Sequence, residues 1–151
     1  MRLAVAQPLV VPHDVATNAA AHAALVRAAR ARVVVFPELS LTGYELDAAS
    51  VTLSALAPVV EACASTGSLA LVGAPVDSHI AVLAVTGAGA EVAYRKMYPG
   101  TDEARHFKAG DAPAVIEVDG WRLGLAICRD TGIAAQVEAT VALGIDAYVA
   151  G

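Results

Sequence analysis

Three predicted β-strands each end in a different chemically active group. These strands and their groups are Val33–Phe36 with Glu38, Glu91–Arg95 with Lys96, and Arg122–Ile127 with Cys128. In layered α/β sheets the carboxyl ends of strands form one crevice, which is where such folds bind their ligands. We therefore expect a carboxylate, an amine and a thiol to meet at one site.

These three groups together favour nucleophilic catalysis by Cys128. A free thiol has a pKa of about 8.5, so a catalytic cysteine needs a base or a positive neighbour. Glu38 could accept the thiol proton and return it to a leaving amine, while Lys96 could donate to an oxyanion. A helix predicted to begin just after Cys128 would favour the thiolate. The alternative is a buried cysteine with an unrelated glutamate and lysine nearby.

The composition limits the class of protein. The chain of 151 residues is long enough for one domain, which we take as 1–151. A net charge of −5 without a dense basic cluster argues against a nucleic-acid partner. No apolar run reaches the ~18 residues of a membrane span, and the N-terminus lacks a signal-peptide pattern. We therefore expect a cytoplasmic protein that does not bind membranes.

The cysteines and histidines show no metal-binding spacing. The two cysteines form no C-x-x-C pair, so we expect reduced thiols, with Cys63 a small buried side chain. The histidines are dispersed along the chain, and we expect ordinary surface or loop residues at His13, His22, His79 and His106. The sequence therefore predicts no metal site.

Hydrophobic periodicity predicts two helices in the first half of the chain. Asp14 can cap a helix over about 15–30, in which Asn18 is expected to be exposed or to hold a neighbouring loop. A second helix is expected to end at Gly67. Its predicted buried face comprises Leu53, Leu56, Val60 and Cys63.

The other segments indicate strands, a third helix and one long loop. Further strands are predicted near 2–7, 69–73, 80–86, 114–118 and 147–150. The third helix is expected over about 132–143, capped by Asp130 or Thr131. The loop 97–113 is unusually long for a compact domain, which indicates a functional role. The order of elements predicts an α/β layered architecture with antiparallel hairpins.

Three segments together resemble the signature segments of the nitrilase, or carbon-nitrogen hydrolase, superfamily, in order and in separation. They are Phe36–Tyr44, Tyr94–Lys96 and Leu125–Asp130. Lesser matches occur at Ala6–Gln7, Asn18, Leu71–Pro75 and Gly144–Ala147. The resemblance spans the whole chain and implies an amidase-like member of the superfamily with a nitrilase-like α-β-β-α sandwich.

The resemblance also implies roles for individual residues. Glu38 would be the general base, Lys96 would stabilise the tetrahedral intermediate, and Cys128 would be the nucleophile. Glu103 matches the family pattern in which a second glutamate orients the lysine and the substrate, although a charged loop residue without a role is the alternative.

Two further residues are expected to contact the substrate. The backbone N–H of Arg129 would help to hold the oxyanion, and Tyr44 would form a wall of the pocket or simply pack as an aromatic side chain. Arg129 stands where the family often has an aromatic residue, which leaves substrate specificity open.

Family members continue well beyond the strand with which this chain ends. The resemblance therefore implies that 1–151 is the N-terminal part of the family domain, truncated after the strand that follows the nucleophile. We expect a complete active site only if the remaining part is present, on this chain or from a partner. The family's dimer contacts imply a homo-oligomer, here a dimer.

The leading hypothesis is a hydrolase without a cofactor that acts on a small linear amide or carbamoyl compound. It would form a thioester on Cys128 and release ammonia. The alternatives are a nitrilase that attacks a nitrile and a non-catalytic binding or assembly module with the same fold. The sequence leaves the substrate, the pathway and the oligomeric state open.

Overall fold

Eight β-strands form two sheets in the computed structural model, which describes residues 1–151. In chain order they are β1 Leu3–Val5, β2 Val33–Val35, β3 Leu69–Val76, β4 His79–Thr86, β5 Gly89–Arg95, β6 Val115–Val118, β7 Trp121–Ala126 and β8 Ala147–Ala150. The large sheet has the order β1-β2-β3-β4-β5, with β1, β2 and β3 parallel and the last pairs antiparallel. The small sheet has the order β6-β7-β8, with β7 and β8 parallel.

Three α-helices flank the sheets. They are α1 Val15–Ala29, α2 Ala57–Thr66 and α3 Ala134–Val141. The first begins at Asp14, whose side chain accepts a hydrogen bond from the backbone of Thr17 at 2.9 Å. The second ends at Gly67, where a φ of 69° suits glycine. None of the helices combines the length and the apolar character that crossing a membrane would require.

Alternate residues of the large sheet face two different cores. Val34 and Leu83 pack with residues of α1 and α2, whereas Val35 and Val82 pack against the small sheet. On the outer side of the small sheet, a Cβ at Gly124 would lie only 2.5 Å from the side chain of Thr140 in α3, so this strand and helix are in close contact. The layers are therefore α-β-β-α, which confirms the predicted fold.

Two predicted helices begin later than the sequence indicated. A 3₁₀ turn over Leu53–Leu56 precedes α2, and Leu53 is 40% exposed rather than buried, because the turn does not share the helical face. A second 3₁₀ turn over Cys128–Gly132 precedes α3. As a result, no α-helix begins directly after Cys128.

Candidate active site

Glu38 lies in a tight turn that follows β2 and packs against β3. A Cβ at Gly73 would lie 2.3 Å from the carbonyl oxygen of Pro37, so only glycine allows this approach. The carbonyl of Gly73 also accepts a hydrogen bond from the N–H of Leu41 at 3.1 Å. The turn that presents the carboxylate is thus fixed to the neighbouring strand.

Two buried polar residues of α1 support the same turn from its other side. The amide of Asn18 donates to the carbonyl oxygens of Leu41 at 2.9 Å and Val11 at 2.8 Å. His22 Nδ1 donates to the carbonyl of Asn18 at 2.6 Å, so its Nε2 accepts from the hydroxyl of Ser40 at 2.9 Å. Asn18 is not exposed but holds neighbouring loops, the second of its two predicted alternatives. The expectation of a surface or loop His22 was wrong, since this residue is buried in α1.

Lys96 follows β5 and points its ammonium group at two carboxylates. Nζ lies 2.6 Å from Glu38 Oε1, and 2.8 and 2.7 Å from the two carboxylate oxygens of Glu103. The lysine side chain is only 1% exposed. Its three N–H donors therefore meet three acceptors in a buried group, which we call the lysine cluster: Glu38, Lys96 and Glu103.

Glu103 is held in place by the long loop that carries it. Besides Lys96, its carboxylate accepts the backbone N–H of Gly100 at 2.5 Å and the hydroxyl of Tyr44 at 2.7 Å. Tyr44 itself is 60% exposed, so it lies at the surface of the lysine cluster rather than inside it. The long loop 97–113 thus supplies one of the buried carboxylates.

Cys128 occupies a sharp turn immediately after β7. Its φ of 42° is uncommon for a non-glycine residue and persists only where neighbouring groups hold it. Its N–H donates to the carbonyl of Gly151 at 2.8 Å, and its carbonyl accepts the hydroxyl of Thr131 at 2.8 Å. The residue is exposed, so an external molecule can reach it.

The groups around Cys128 perturb one another's ionisation. Burial raises the pKa of Glu38, against the opposing effect of its hydrogen bond to Lys96. Burial and then the negative charge of Glu38 raise the pKa of Cys128, with Lys96 opposing them. The thiol and the Glu38 carboxylate therefore lie close enough to interact. The expected stabilisation of a thiolate by a helix N-terminus was wrong, because a 3₁₀ turn rather than an α-helix follows Cys128, and α3 begins only at Ala134.

Lys96 and Glu103, the other two groups of the lysine cluster, favour each other's charged forms. Burial alone would lower the pKa of Lys96, but its hydrogen bonds to Glu103 and Glu38 raise it overall. Burial alone would raise the pKa of Glu103, but the hydrogen bond from Lys96 and those from Gly100 and Tyr44 lower it. Of the two carboxylates in the lysine cluster, Glu38 therefore takes up a proton more readily than Glu103.

Arg129 differs from the other predicted site residues. Its guanidinium donates to the carbonyl oxygen of Pro99 at 3.0 Å, and its side chain lies at the surface. Its backbone N–H donates to no acceptor of the protein. This N–H lies beside Cys128 and is unpaired within the protein.

The sequence interpretation missed a further buried carboxylate outside the lysine cluster. Asp130, expected as a helix cap, instead accepts the hydroxyl of Tyr94 at 2.7 Å, and Tyr94 is in turn bonded by the amide of Gln136 at 3.2 Å. We call these three residues the aspartate network. Asp130 and Tyr94 both lie within the signature segments, but their pairing depends on how β5 and β7 face each other.

One exposed group of side chains could bind a metal ion by its chemistry. His13, Glu45 and Asp47 place potential ligand atoms within 4.8 Å of one another. Exposed groups of this kind are common in proteins that hold no ion, and the group is separate from the lysine cluster.

Comparison with known proteins identifies a family and a fold. The family model described as carbon-nitrogen hydrolase matches residues 2–151. A cysteine-to-alanine variant of the Nesterenkonia AN1 amidase, from the nitrilase superfamily, is 22% identical with a TM-score of 0.86, over 99% of this chain and 64% of that chain. No curated protein matches the sequence.

Two other structures show the same fold. A CN-hydrolase superfamily protein from Xanthomonas campestris, with an arsenic adduct in its active site, is 20% identical with a TM-score of 0.76, over 89% of this chain and 56% of that chain. The glutamine-dependent NAD⁺ synthetase of Acinetobacter baumannii is 20% identical with a TM-score of 0.74, over 97% of this chain and 31% of that chain. The chain spans less than two thirds of the length of each of these three proteins.

Proposed function

Because the chain belongs to the carbon-nitrogen hydrolase family, we propose that it hydrolyses a non-peptide C–N bond in a small linear amide or carbamoyl compound. The observation that carries the proposal is the buried ammonium of Lys96 between Glu38 and Glu103, beside the exposed thiol of Cys128. The likeness to amidase structures favours an amide over other substrates.

The first chemical step would join Cys128 to the substrate. As Sγ attacks the carbonyl carbon, the thiol proton passes to Glu38 and the carbonyl π electrons move to the oxygen. A raised pKa suits Glu38 to this step, because a base with a pKa nearer to neutrality binds the proton more firmly. When the intermediate collapses, the C–N bond breaks and Glu38 returns the proton to the amine, releasing ammonia and leaving a thioester.

The arrangement of Lys96 links proton transfer to stabilisation of the oxyanion. All three N–H groups of its ammonium bond to carboxylate oxygens at rest. A protonated Glu38 accepts a hydrogen bond less strongly, so proton transfer from Cys128 frees one N–H for the new oxyanion. The unpaired backbone N–H of Arg129 supplies a second donor.

Deacylation would reuse the same groups. Glu38 takes a proton from a water molecule that attacks the thioester carbon. As the C–S bond breaks, Glu38 passes this proton to the departing sulfur of Cys128, and the carboxylic acid is released. Glu103 keeps Lys96 in place throughout, because its two oxygens bond to the ammonium independently of Glu38. Tyr44 fixes Glu103 and forms part of the wall beside it.

The test is ammonia release from a panel of linear amides, carbamoyl compounds and nitriles, measured on the parent chain and two cysteine variants. Cys128→Ala should lower the rate by ~10³-fold or more, because removal of a nucleophile disables the whole reaction. Cys63→Ala removes a buried thiol of α2 and should change the rate of ammonia release by less than about twofold. Full activity of Cys128→Ala would refute the mechanism. Ammonia release from nitriles but from no amide or carbamoyl compound would show that the substrate is a nitrile.

A further inference from the structure

Asp130 is a fully buried carboxylate whose partners are all neutral. It is 0% exposed, and its oxygens accept the hydroxyl of Tyr94 at 2.7 Å, the N–H of Tyr98 at 3.0 Å and the N–H of Ile127 at 3.2 Å. A buried carboxylate is costly to desolvate, and several hydrogen bonds are needed to compensate for it. Asp130 has those bonds without a cation, which is unusual enough to require an explanation.

The three donors belong to the two segments that carry the reactive groups. Tyr94 and Tyr98 lie two residues before and two residues after Lys96, and Ile127 directly precedes Cys128. One side chain is therefore bonded to the chain on both sides of the lysine and to the turn of the nucleophile.

The same residue also closes the turn at Cys128. The N–H of Asp130 donates to the carbonyl of Ile127 at 2.9 Å, while the carboxylate of Asp130 accepts the N–H of Ile127. This reciprocal pair spans the residue whose φ is positive, and so it helps to hold a backbone conformation that is unfavourable by itself.

The rest of the aspartate network fixes the direction of the hydrogen bonds. Gln136 donates to the oxygen of Tyr94 at 3.2 Å and to the carbonyl of Leu125 at 3.2 Å, and its own oxygen accepts the hydroxyl of Tyr148. Because Tyr94 accepts from Gln136, its single hydroxyl proton is directed to Asp130. The hydrogen bonds thus have one consistent arrangement.

We propose that Asp130 is a positioning residue that holds the Cys128 turn at a fixed separation from Lys96 through Tyr94, Tyr98 and Ile127. Its effect on hydrolysis rests on the proposed function, because it presupposes attack by Cys128. Its effect on the position of the thiol does not, and can be measured without turnover.

The experiment compares Asp130→Asn and Tyr94→Phe in the full chain, with Cys63→Ala as the background so that one thiol remains. The first readout is the rate of alkylation of Cys128 by iodoacetamide as a function of pH. The second is kcat and KM for ammonia release. Ser68→Ala is the matched control, since it removes two hydrogen bonds elsewhere in the fold. Its hydroxyl donates to the carbonyl of Ala31 at 2.7 Å and accepts from the hydroxyl of Thr66 at 2.9 Å.

In Asp130→Asn the alkylation midpoint should fall towards the ordinary value for a thiol, because Cys128 moves away from the carboxylate of Glu38 that raises its pKa. In the same variant kcat should fall by ~10-fold or more while KM changes by less than about threefold, as expected for a misplaced nucleophile. Alkylation at neutral pH thus rises while hydrolysis falls, which general destabilisation would not produce.

Tyr94→Phe should also lower the alkylation midpoint and kcat, but by less than Asp130→Asn. Because this substitution alters no charge near neutral pH, a shift of its alkylation midpoint reports displacement of the thiol. It also decides the question alone if Asp130→Asn does not fold. Parental alkylation profiles and kcat values in Tyr94→Phe would overturn the proposal, as would losses no larger than those of Ser68→Ala. Absence of ammonia release from the parent would instead count against the proposed function, while the alkylation profiles still test the position of Cys128.

Discussion

The lysine cluster and the aspartate network each hold a fully enclosed carboxylate, but they neutralise it differently. Glu103 bonds to the ammonium of Lys96, whereas Asp130 bonds only to a hydroxyl and two backbone N–H groups. An ammonium can redirect an N–H to a new acceptor when one of its carboxylate partners becomes protonated, while backbone donors are fixed by the fold. The comparison indicates that one group is built for chemistry and the other for geometry.

The two groups should also respond differently to substitution. A buried ion pair adds little net stability, yet removal of one partner leaves an uncompensated charge that is strongly destabilising. Loss of one neutral donor from a carboxylate with three donors costs about 1–3 kcal/mol. Removal of the cation from the lysine cluster should therefore cost more stability than removal of one donor from the aspartate network.

Lys96→Met should have the largest effect, because it leaves Glu38 and Glu103 buried without their cation. We expect the free energy of unfolding, measured by urea denaturation, to fall by about 3–5 kcal/mol. Ammonia release should fall by ~10²–10³-fold with the loss of an oxyanion donor. Lys108→Met, at an exposed lysine of the same loop, should change stability by less than about 0.5 kcal/mol. If the two variants had equal free energies of unfolding, the buried carboxylates of Glu38 and Glu103 would not depend on Lys96 to compensate their charge.

His22 allows a pH test of the support behind Glu38. Burial lowers its pKa to about 4, whereas an unfolded histidine titrates near 6.5, so the unfolded chain takes up the proton first as pH falls. The neutral ring of His22 therefore contributes up to ~3 kcal/mol to the free energy of unfolding. This contribution is fully present above about pH 6.5 and is lost as the pH falls towards 4.

In His22→Gln this part of the pH dependence should disappear, as measured by urea midpoints at a series of pH values. His106→Gln, at an exposed position, serves as the control and should keep the parental dependence. If the parent and His22→Gln lose stability in parallel between pH 6.5 and pH 4, then His22 is not held in its neutral form.

Gly73→Ala should disturb the lysine cluster and leave the aspartate network in place. The added Cβ would lie 2.3 Å from the carbonyl oxygen of Pro37 and must displace the turn that carries Glu38. We expect a loss of about 1–3 kcal/mol in stability and a larger relative loss in kcat. Gly132→Ala is the control for stability, because a Cβ there meets no atom within 4 Å. If Gly73→Ala kept the parental kcat, the reaction rate would not depend on the position of Glu38.

Tyr44→Phe should have the smallest effect. Its hydroxyl is one of several donors to Glu103, and Lys96 and Gly100 remain after its loss. We expect kcat/KM for ammonia release to fall by about fivefold, the equivalent of one hydrogen bond of ~1 kcal/mol. A loss as large as that of Lys96→Met would instead place Tyr44 in direct contact with the reacting atoms.

The sequence predicted the parts of the site that depend on strand ends. Glu38, Lys96 and Cys128 each follow a strand, and the layered fold brings such ends together whatever the details of packing. Glu103 was expected beside the lysine only through the resemblance of its loop to a family pattern. The position of the reactive groups thus followed from local patterns and topology.

The supporting residues could not be predicted in the same way. His22 and Asp130 are polar residues that the sequence alone assigns to the surface or to a cap, and for Asn18 it left exposure and the support of a loop as alternatives. Their partners are groups distant in the chain, so local patterns do not reveal them. The state of Cys128 was mistaken for a related reason. A 3₁₀ turn separates it from α3, so the expected helix dipole is absent, and burial followed by the charge of Glu38 raises its pKa.

The central claim is that Cys128 becomes acylated during hydrolysis. The most direct measurement is mass spectrometry of peptides from the chain after incubation with a hydrolysed amide and rapid quenching in acid. The peptide that contains Cys128 should gain the mass of the acyl group, and the peptide that contains Cys63 should not. Ammonia release with no acyl group on Cys128 at any time, or with the acyl group on Cys63, would contradict the account.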